Sequence, residues 1–418
     1  MSTSTAEATL NPEPPEMSAD GYRAVLSRPH FRNLYLGEVV SLLGDWFNTV
    51  AVYTLVQAAT DRAAAVSAVL VVRTLPTFLV SPIAGPLVDR FDRRTLLLVA
   101  DVARAVAVLG LLMAYRSQSL PLVYAALTLL MVFTGLAIPA KNATVPMVVG
   151  PGQLSAANAL AGGSWSVMLA LGAALGGVVT EALGVQAALL VDAATYLVSF
   201  AFLSRLPRLL PPAETAESKA RAGFKAGIGY LWRTPKVAAL VALKPLLALP
   251  MAAVALIPLF GKAYGGAAAA AGFTGALFAA RGLGALVGAL GPRTFVPDSA
   301  AGLRRAVVVG FLTMAVAYLA ASTAESFVGV ALGFAVAAMG SGTVWVFSGT
   351  LLQREADGAF HGRVFATELG IMTLVISGTS MLVGGAVDAG FTLSQVLAGA
   401  GAAAGVAATL AAAGNLRR

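Results

Sequence analysis

The chain of 418 residues contains no cysteine and only two histidines, His30 and His361. Disulfide bonds are therefore excluded, and a zinc or haem centre has almost nothing to be built from. Charge is also scarce: 11% of residues are Asp, Glu, Lys or Arg, against about 25% in an average soluble domain. No Gly-Lys-Ser/Thr phosphate loop occurs, and Gly282-Leu283-Gly284 lacks the third glycine of a dinucleotide fingerprint. The chain does not read as an enzyme, and no cofactor or metal is expected. The net charge of +8 comes from basic residues set between apolar runs rather than along one face, so no nucleic-acid partner is expected either.

What is present is hydrophobic: 58% of residues are apolar or aromatic. Twelve apolar runs can be marked, at 34–58, 64–87, 95–115, 120–140, 154–183, 185–206, 237–264, 267–290, 305–322, 327–352, 364–387 and 393–413. Their lengths suit bilayer-crossing helices and not the short alternating strands of a barrel. The expected fold is an all-α membrane protein with twelve transmembrane helices, here called spans 1 to 12, with the lipid bilayer as its solvent. Spans 5 and 6 meet at Gly184, and spans 11 and 12 near 388–392, so both pairs should form tight hairpins.

The longest polar interval, 207–235, divides the chain into six spans and six spans. A weak internal repeat accompanies the division. Leu26-Ser27-Arg28-Pro29-His30-Phe31 parallels Leu231-Trp232-Arg233-Thr234-Pro235-Lys236, and Arg73-Thr74-Leu75 in span 2 parallels Arg281-Gly282-Leu283 in span 8. The expected organisation is a disordered cytoplasmic tail at 1–22, a six-helix bundle at 23–206, a cytoplasmic linker with an amphipathic helix at 207–235, and a second, pseudo-symmetric six-helix bundle at 236–418. Pro12, Pro14 and Pro15 and the acidic residues around them make the tail neither a signal peptide nor a helix. With the amino terminus inside, the outer links carry only Arg62, Arg116 and Lys262, while basic residues crowd the inner ones. This bias places both termini in the cytoplasm.

Ionisable residues inside spans need a partner, a cavity or a proton. Glu38 and Asp45 stand two turns apart on span 1, with Ser41, Asn48 and Thr49 near the same side. Asp45 is roughly 17 Å along the helix from Leu34, close to mid-bilayer. Arg73 on span 2 lies at similar depth, so a structural Asp45–Arg73 pair and a proton-carrying carboxyl are both open readings. On span 6, Asp192 leads a polar stripe with Thr195, Tyr196 and Ser199 that reads as cavity lining. Glu368 is a cavity candidate whose place near the start of span 11 favours an interfacial position. Asp101 and Arg104, three residues apart on span 3, can pair with one another. Lys244 and Arg281 have no acidic residue at comparable depth in spans 7 to 10; facing an interior they would favour a substrate with acidic or electron-rich character, while snorkelling or backbone carbonyls are the alternative way to satisfy them.

The link Gly85-Pro86-Leu87-Val88-Asp89-Arg90-Phe91-Asp92-Arg93-Arg94 sets five charges in ten residues between two apolar runs. It resembles motif A of the major facilitator superfamily, Gly-x-Leu-Ala-Asp-Arg-x-Gly-Arg-Arg/Lys. Gly85, Leu87, Asp89, Arg90, Arg93 and Arg94 are in place, and Asp92 stands where the second glycine is usual. Asp-Arg-Phe-Asp-Arg-Arg is similar to the variant of the macrolide and multidrug efflux branch, as is Gln353 with Gly362-Arg363-Val364-Phe365. Gly172-Ala173-Ala174-Leu175-Gly176-Gly177 resembles the antiporter motif C, with Ala173 in place of its proline, while span 4 lacks the arginine of proton-coupled relatives. The resemblance implies the major facilitator fold and a conformational switch at Asp89, docking on the span 11 end near Gly362 and Arg363. It implies a monomeric secondary transporter of the cell membrane that exports amphipathic organic compounds or drugs by proton antiport. A dedicated exporter of a siderophore, specialised metabolite or lysolipid, and a non-transporting receptor or scaffold, are the alternatives.

Overall fold

The computed structural model describes residues 19–150, 152–210, 224–357 and 360–416. Ten helices among them are long and apolar enough to cross a membrane. Two of these fold back on themselves. Leu154–Leu203 breaks at Gly184 (φ 84°), and the helix Ile257–Leu290 breaks at Gly266 (φ 61°), a region of backbone space that glycine enters without steric cost. Both ends of 154–203 lie on one face of the molecule: Gln153 accepts from Arg28 at 2.6 Å, and the Ser204 carbonyl accepts from Arg94 at 2.6 Å. The two reversals turn ten helices into twelve spans.

The first six are Pro29–Ala59, Ala63–Arg90, Arg93–Ser117, Leu120–Val148 and the two arms 154–183 and 185–203. Pro29 starts span 1 because a proline at the first helical position forfeits no hydrogen bond. Span 7 is interrupted. Pro245 and Pro250 cannot donate to the preceding turn, and the chain runs as Pro235–Val241, Leu243–Met251 and a 3-10 turn Ala252–Leu256 before Ile257. Span 8 follows at 267–290, then Ala300–Ser322, Phe327–Glu355, His361–Asp388 and Leu393–Leu416. Ser299 and Ser326 cap spans 9 and 10 by accepting the amides of Gly302 and Gly329.

Each bundle buries its own apolar residues and turns others outward. On span 3, Val99, Val102, Val106, Leu109 and Met113 form an exposed stripe at helical spacing, the surface a lipid-facing helix needs. The bundles meet along two helix pairs, span 2 with span 11 and span 5 with span 8. Gly177 permits the second contact, since a Cβ there would come within 2.9 Å of the Ala271 carbonyl.

Two expectations are corrected. Residues 1–18 lie outside the described part, but 19–22, expected in a disordered tail, belong to a helix Ala19–Leu26 that buries Val25 against the first bundle. Span 4 does not stop at 140 but continues to Val148, carrying Lys141 with it. The linker residues 211–223 lie outside the described part; beyond them Phe224–Arg233 is a helix whose Tyr230 stacks on Phe360 with ring centres 4.4 Å apart.

Candidate functional site

Span 1 carries the centre of the first bundle. Gly44 lets span 6 come close, since a Cβ there would lie 2.6 Å from Asp192 Oδ1. Tyr196, one turn beyond Asp192, donates its hydroxyl to Asp45 Oδ1 at 2.5 Å. Arg104 of span 3 stacks over the Tyr196 ring at 4.5 Å and pairs with Asp101. Arg73 of span 2 donates to Asn48 Oδ1 at 3.2 Å and to the Asp45 carbonyl at 3.3 Å. It therefore meets the backbone of Asp45 and not its carboxylate, and no Asp45–Arg73 ion pair forms in this conformation. Equal depth on two spans suggests the pair; the rotation of each side chain about its helix decides otherwise.

The polar stripe of span 6 implies that Asp192 lines a cavity, yet the structure buries it completely, with neither carboxylate oxygen hydrogen-bonded. Thr195, Tyr196 and Ser199 are buried with it against span 1. Asp45, Asn48, Arg73 and Arg104 surround the Asp192 carboxyl. Asp45 is half-buried, and its Oδ2 takes no hydrogen bond from the described residues. The cluster thus holds three carboxyls, Asp45, Asp101 and Asp192, and two guanidiniums, Arg73 and Arg104. Nearer the face that carries the Gly85–Arg94 link, Glu38 pairs with Lys141 of span 4.

The second bundle differs. Glu368 is not interfacial: it is 1% exposed and accepts from Lys244 at 2.5 Å. The pair joins span 7 to span 11 across 124 residues of sequence, outside spans 7 to 10, where no acidic residue stands at the depth of Lys244. Trp345 and Phe365 add their rings to the ammonium, at 5.0 and 5.3 Å. Arg281 of span 8 is half-buried and donates no hydrogen bond among the described residues. It approaches Tyr53 of span 1 and Tyr318 of span 9.

The charged link splits into two parts. Arg93 is buried and donates to the Ala143 carbonyl at 2.8 Å, and Arg94 reaches the Ser204 carbonyl. Asp92 accepts the Leu209 amide at 2.6 Å and the Thr95 hydroxyl at 2.8 Å. Burial pushes the Asp92 carboxyl up, but these donors and neighbouring amides together hold it below the usual carboxylate range. These three residues tie spans 3, 4 and 6 together. Asp89 and Arg90 instead stand exposed at the end of span 2. Gly85 and Gly362 have open space where a Cβ would be, Arg363 stacks over Phe360 at 5.3 Å, and Asp89 makes no hydrogen bond or ion pair to span 11 among the described residues.

The polar contacts that join the bundles lie at mid-depth or toward the opposite face. Thr74 meets Ser377, Gln57 donates to the Pro258 carbonyl at 2.8 Å, and Lys262 pairs with Asp61 at 2.8 Å. Glu181 accepts the Gly272 amide at 2.9 Å, and Asp388 accepts the Ala63 amide at 2.7 Å. Sequence reasoning passed over Glu181 and Asp388; their signal was a carboxylate at the outer end of an apolar run.

Two six-helix bundles, joined along two helix pairs and carrying buried charge at mid-depth, define a twelve-span membrane transporter. Residues 34–367 match the Major Facilitator Superfamily, and the chain belongs to it. It is 30% identical over 223 residues to the uncharacterized MFS-type transporter YfiS of Bacillus subtilis, covering 50% of this chain and 52% of that one. It is 30% identical over 203 residues to the "Putative bacilysin exporter BacE" of the same organism, covering 48% and 50%. The chain thus spans about half the length of these two curated relatives. Over 345 residues it is 27% identical to the uncharacterized MFS-type transporter y4rN of Sinorhizobium fredii, covering 82% and 83%. Among solved structures, the nucleoside transporter NupG matches with TM-score 0.67 at 13% identity, over 93% of this chain and 98% of that one. A bacterial homolog of the human lysosomal transporter Spinster, inward-facing and unoccupied, matches with TM-score 0.68 at 14% identity over 95% and 96%. At these identities the likeness establishes the fold alone.

Proposed function

We propose that the transporter exports small amphipathic organic compounds across the cell membrane in exchange for protons. The observation that carries this reading is the buried, hydrogen-bond-free carboxyl of Asp192 beside the half-open carboxyl of Asp45. An ionised carboxylate in that position would have only the Asn48 side chain and the field of Arg73 and Arg104 to stabilise it, against full burial and the like charge of Asp45. With a proton on Asp192, the three carboxyls and two guanidiniums of the cluster balance. A cationic group arriving at Asp45 adds positive charge and favours release of that proton. Substrate and proton would then alternate at one cluster, as exchange requires.

Direction comes from orientation and from kinship. Lys and Arg lie mainly on the face of the Gly85–Arg94 link, which by the positive-inside rule is cytoplasmic, together with both termini. The bundles touch at mid-depth and toward the opposite face, so the open side is the one from which a cytoplasmic compound would load. The relative BacE bears the name of an exporter, and the Asp-Arg-Phe-Asp-Arg-Arg link resembles the efflux branch. Because BacE is named for one metabolite, export of a single specialised metabolite is the second reading.

Inverted vesicles with an acid interior provide the test. A panel of amphipathic compounds should accumulate without ATP and lose that accumulation when a proton ionophore is added. Accumulation indifferent to the gradient would remove the proton from the mechanism, and a single accepted compound would select the second reading.

A further inference from the structure

The two bundles part company at the starts of spans 3 and 9. Arg93, Leu97 and Ala100 are buried on span 3, and Leu303, Val307 and Gly310 repeat that spacing on span 9. Aligned on this pattern, Arg94 falls on Arg304, and Ser204 at the end of span 6 falls on Gly414 of span 12. In the first bundle the place between them is filled. Span 6 stops at Leu203, so the Ser204 carbonyl stands outside the helix ladder and accepts from Arg94 at 2.6 Å. The chain then buries Leu206 and Leu209 in the same apolar cluster as Leu97 and Ala140, and the Leu209 carbonyl accepts the Arg93 amide at 3.1 Å.

In the second bundle the corresponding place is open. Span 12 continues as a helix past Gly414 to Leu416, and no described segment stands in for Leu206 and Leu209. A crevice of about 220 Å³ remains, lined by Leu243 of span 7, Arg304 and Val307 of span 9, Leu351 of span 10, and Ala411 and Gly414 of span 12. Arg304 has no counterpart of the Ser204 carbonyl. Among the described residues its Nη2 meets Glu355 at 3.4 Å, its Nη1 has no acceptor, and its Nε is buried without one. Six spans separate the starts of spans 3 and 9, so the crevice opens on the face of the Gly85–Arg94 link. In the orientation argued above that face is cytoplasmic, and the leaflet there is anionic.

We propose that this crevice holds one acyl chain of an anionic phospholipid of that leaflet, with the lipid phosphate on Arg304. The inference stands apart from what is transported and from how transport is coupled. The crevice is smaller than the about 300–1,000 Å³ of a site that encloses a drug-sized molecule, so it takes one chain and leaves the rest of the lipid in the bilayer. The chain supplies the apolar surface that Leu206 and Leu209 supply in the first bundle. The phosphate supplies the oxygen that Ser204 offers to Arg94, through charge-assisted hydrogen bonds from the guanidinium. Charge argues against the residues that follow span 12 as the occupant, because Arg417 and Arg418 have the same sign as Arg304. A basic pocket between helices at the cytoplasmic face is the setting in which anionic head groups bind.

The test is lipid retention by the purified full-length transporter, read by native mass spectrometry in an equal mixture of phosphatidylglycerol and phosphatidylcholine with the same acyl chains. Phosphatidylglycerol should be retained about fivefold more, the preference that one arginine confers near an anionic surface. Arg304→Gln should remove that preference, and Arg304→Lys should keep most of it. Arg305→Gln, at the exposed neighbour, should leave it intact. Gly414→Leu adds a side chain where a Cβ meets open space, so it should fold normally, fill the crevice and lower retention of phosphatidylglycerol with Arg304 still present. Glycerol 3-phosphate, a head group without chains, should not compete. Equal retention of the two lipids by the parent, or a preference unchanged in Arg304→Gln, overturns the lipid site. An equal loss in Arg305→Gln assigns the preference to surface charge at large, and unchanged retention in Gly414→Leu places the lipid elsewhere; either result overturns it too. Competition by glycerol 3-phosphate would make Arg304 a phosphate site without a lipid. Arg304→Lys and Gly414→Leu keep the comparison decisive should Arg304→Gln fail to fold.

Discussion

Asp388, the last residue of span 11, accepts the backbone amides of Ala63 at 2.7 Å and Ala64 at 3.0 Å, the first two residues of span 2. A carboxylate of one bundle therefore sits on the positive end of a helix in the other. The relation recurs across the pseudo-two-fold axis. Glu181, near the end of span 5, accepts the Gly272 amide near the start of span 8 at 2.9 Å. These contacts close the face opposite the charged link. Each is worth about 0.3–2 kcal/mol, so Asp388→Asn should shift the balance toward opening at this face by about 1.5- to 30-fold. Ala271→Cys, at the seam of spans 5 and 8, reports it in a chain with no native cysteine. Its labelling from outside should rise in Asp388→Asn and further with Glu181→Gln added; unchanged labelling in both variants rejects the outer latch.

Asp89 is proposed as the matching latch on the other side. It is exposed and makes no hydrogen bond among the described residues while the outer contacts are made, as two mutually exclusive closures require. On this proposal, the amides at the start of span 11 near Gly362 become its partner when the bundles rock. Asp89→Asn should favour the conformation seen here and slow turnover without reducing insertion. Single cysteines at the basic-face ends of spans 2 and 11 should become more reactive. If their reactivity equals that of the parent, the Gly85–Arg94 link is a fixed charged turn.

Hydropathy made the twelve spans legible, because a bilayer requires long apolar helices and leaves little choice of structure. Gly184 was visible as a reversal since it stands between two apolar runs. Helix ends were less so: span 1 starts at Pro29 and span 4 reaches Val148, because a helix can continue into water where composition no longer marks it. The charge pairs were the least legible. Lys244 and Glu368 are 124 residues apart, and Arg73 lies at the depth of Asp45 yet binds its carbonyl. Depth follows from counting residues; azimuth follows from packing, which only the folded bundle provides.

The Lys244–Glu368 pair is buried, so losing one partner strands the other. Lys244→Met or Glu368→Leu alone should cost about 3–5 kcal/mol, whereas both together should be close to neutral. Unfolding of the detergent-solubilised variants measures this. Single variants as stable as the parent would show that water already reaches the pair.

Asp92 titrates outside the spans, where its pH dependence can be read directly. Its folded-state pKa lies below that of an unfolded aspartate, about 3.9, so its tether to Leu209 stabilises the fold above that pH. The contribution fades as pH falls through the lowered folded value. Asp92→Asn should therefore reduce the melting temperature at neutral pH, and the gap to the parent should close under acid conditions. A gap that stays constant down to low pH would assign the effect to shape and not to charge.

Asp45 and Asp192 separate coupling from architecture. Asp192→Asn keeps shape but removes the carboxyl proposed to carry the exchanged proton, so uptake into inverted vesicles should lose its response to the gradient while substrate binding persists. Asp45→Asn should weaken both, because Asp45 is the half-open member of the cluster and takes the Tyr196 hydroxyl at 2.5 Å. The double variant Asp45→Asn, Arg73→Gln decides between function and scaffolding. Were Asp45 held only to balance Arg73, neutralising both would restore transport that single loss abolishes. Arg73 meets Asp45 through its backbone carbonyl, a group that the Asp45→Asn substitution leaves in place, so no such rescue is expected. Recovery of gradient-driven uptake in the double variant would make Asp45 a structural counter-charge and leave Asp192 as the one carboxyl of the pair proposed to act in exchange.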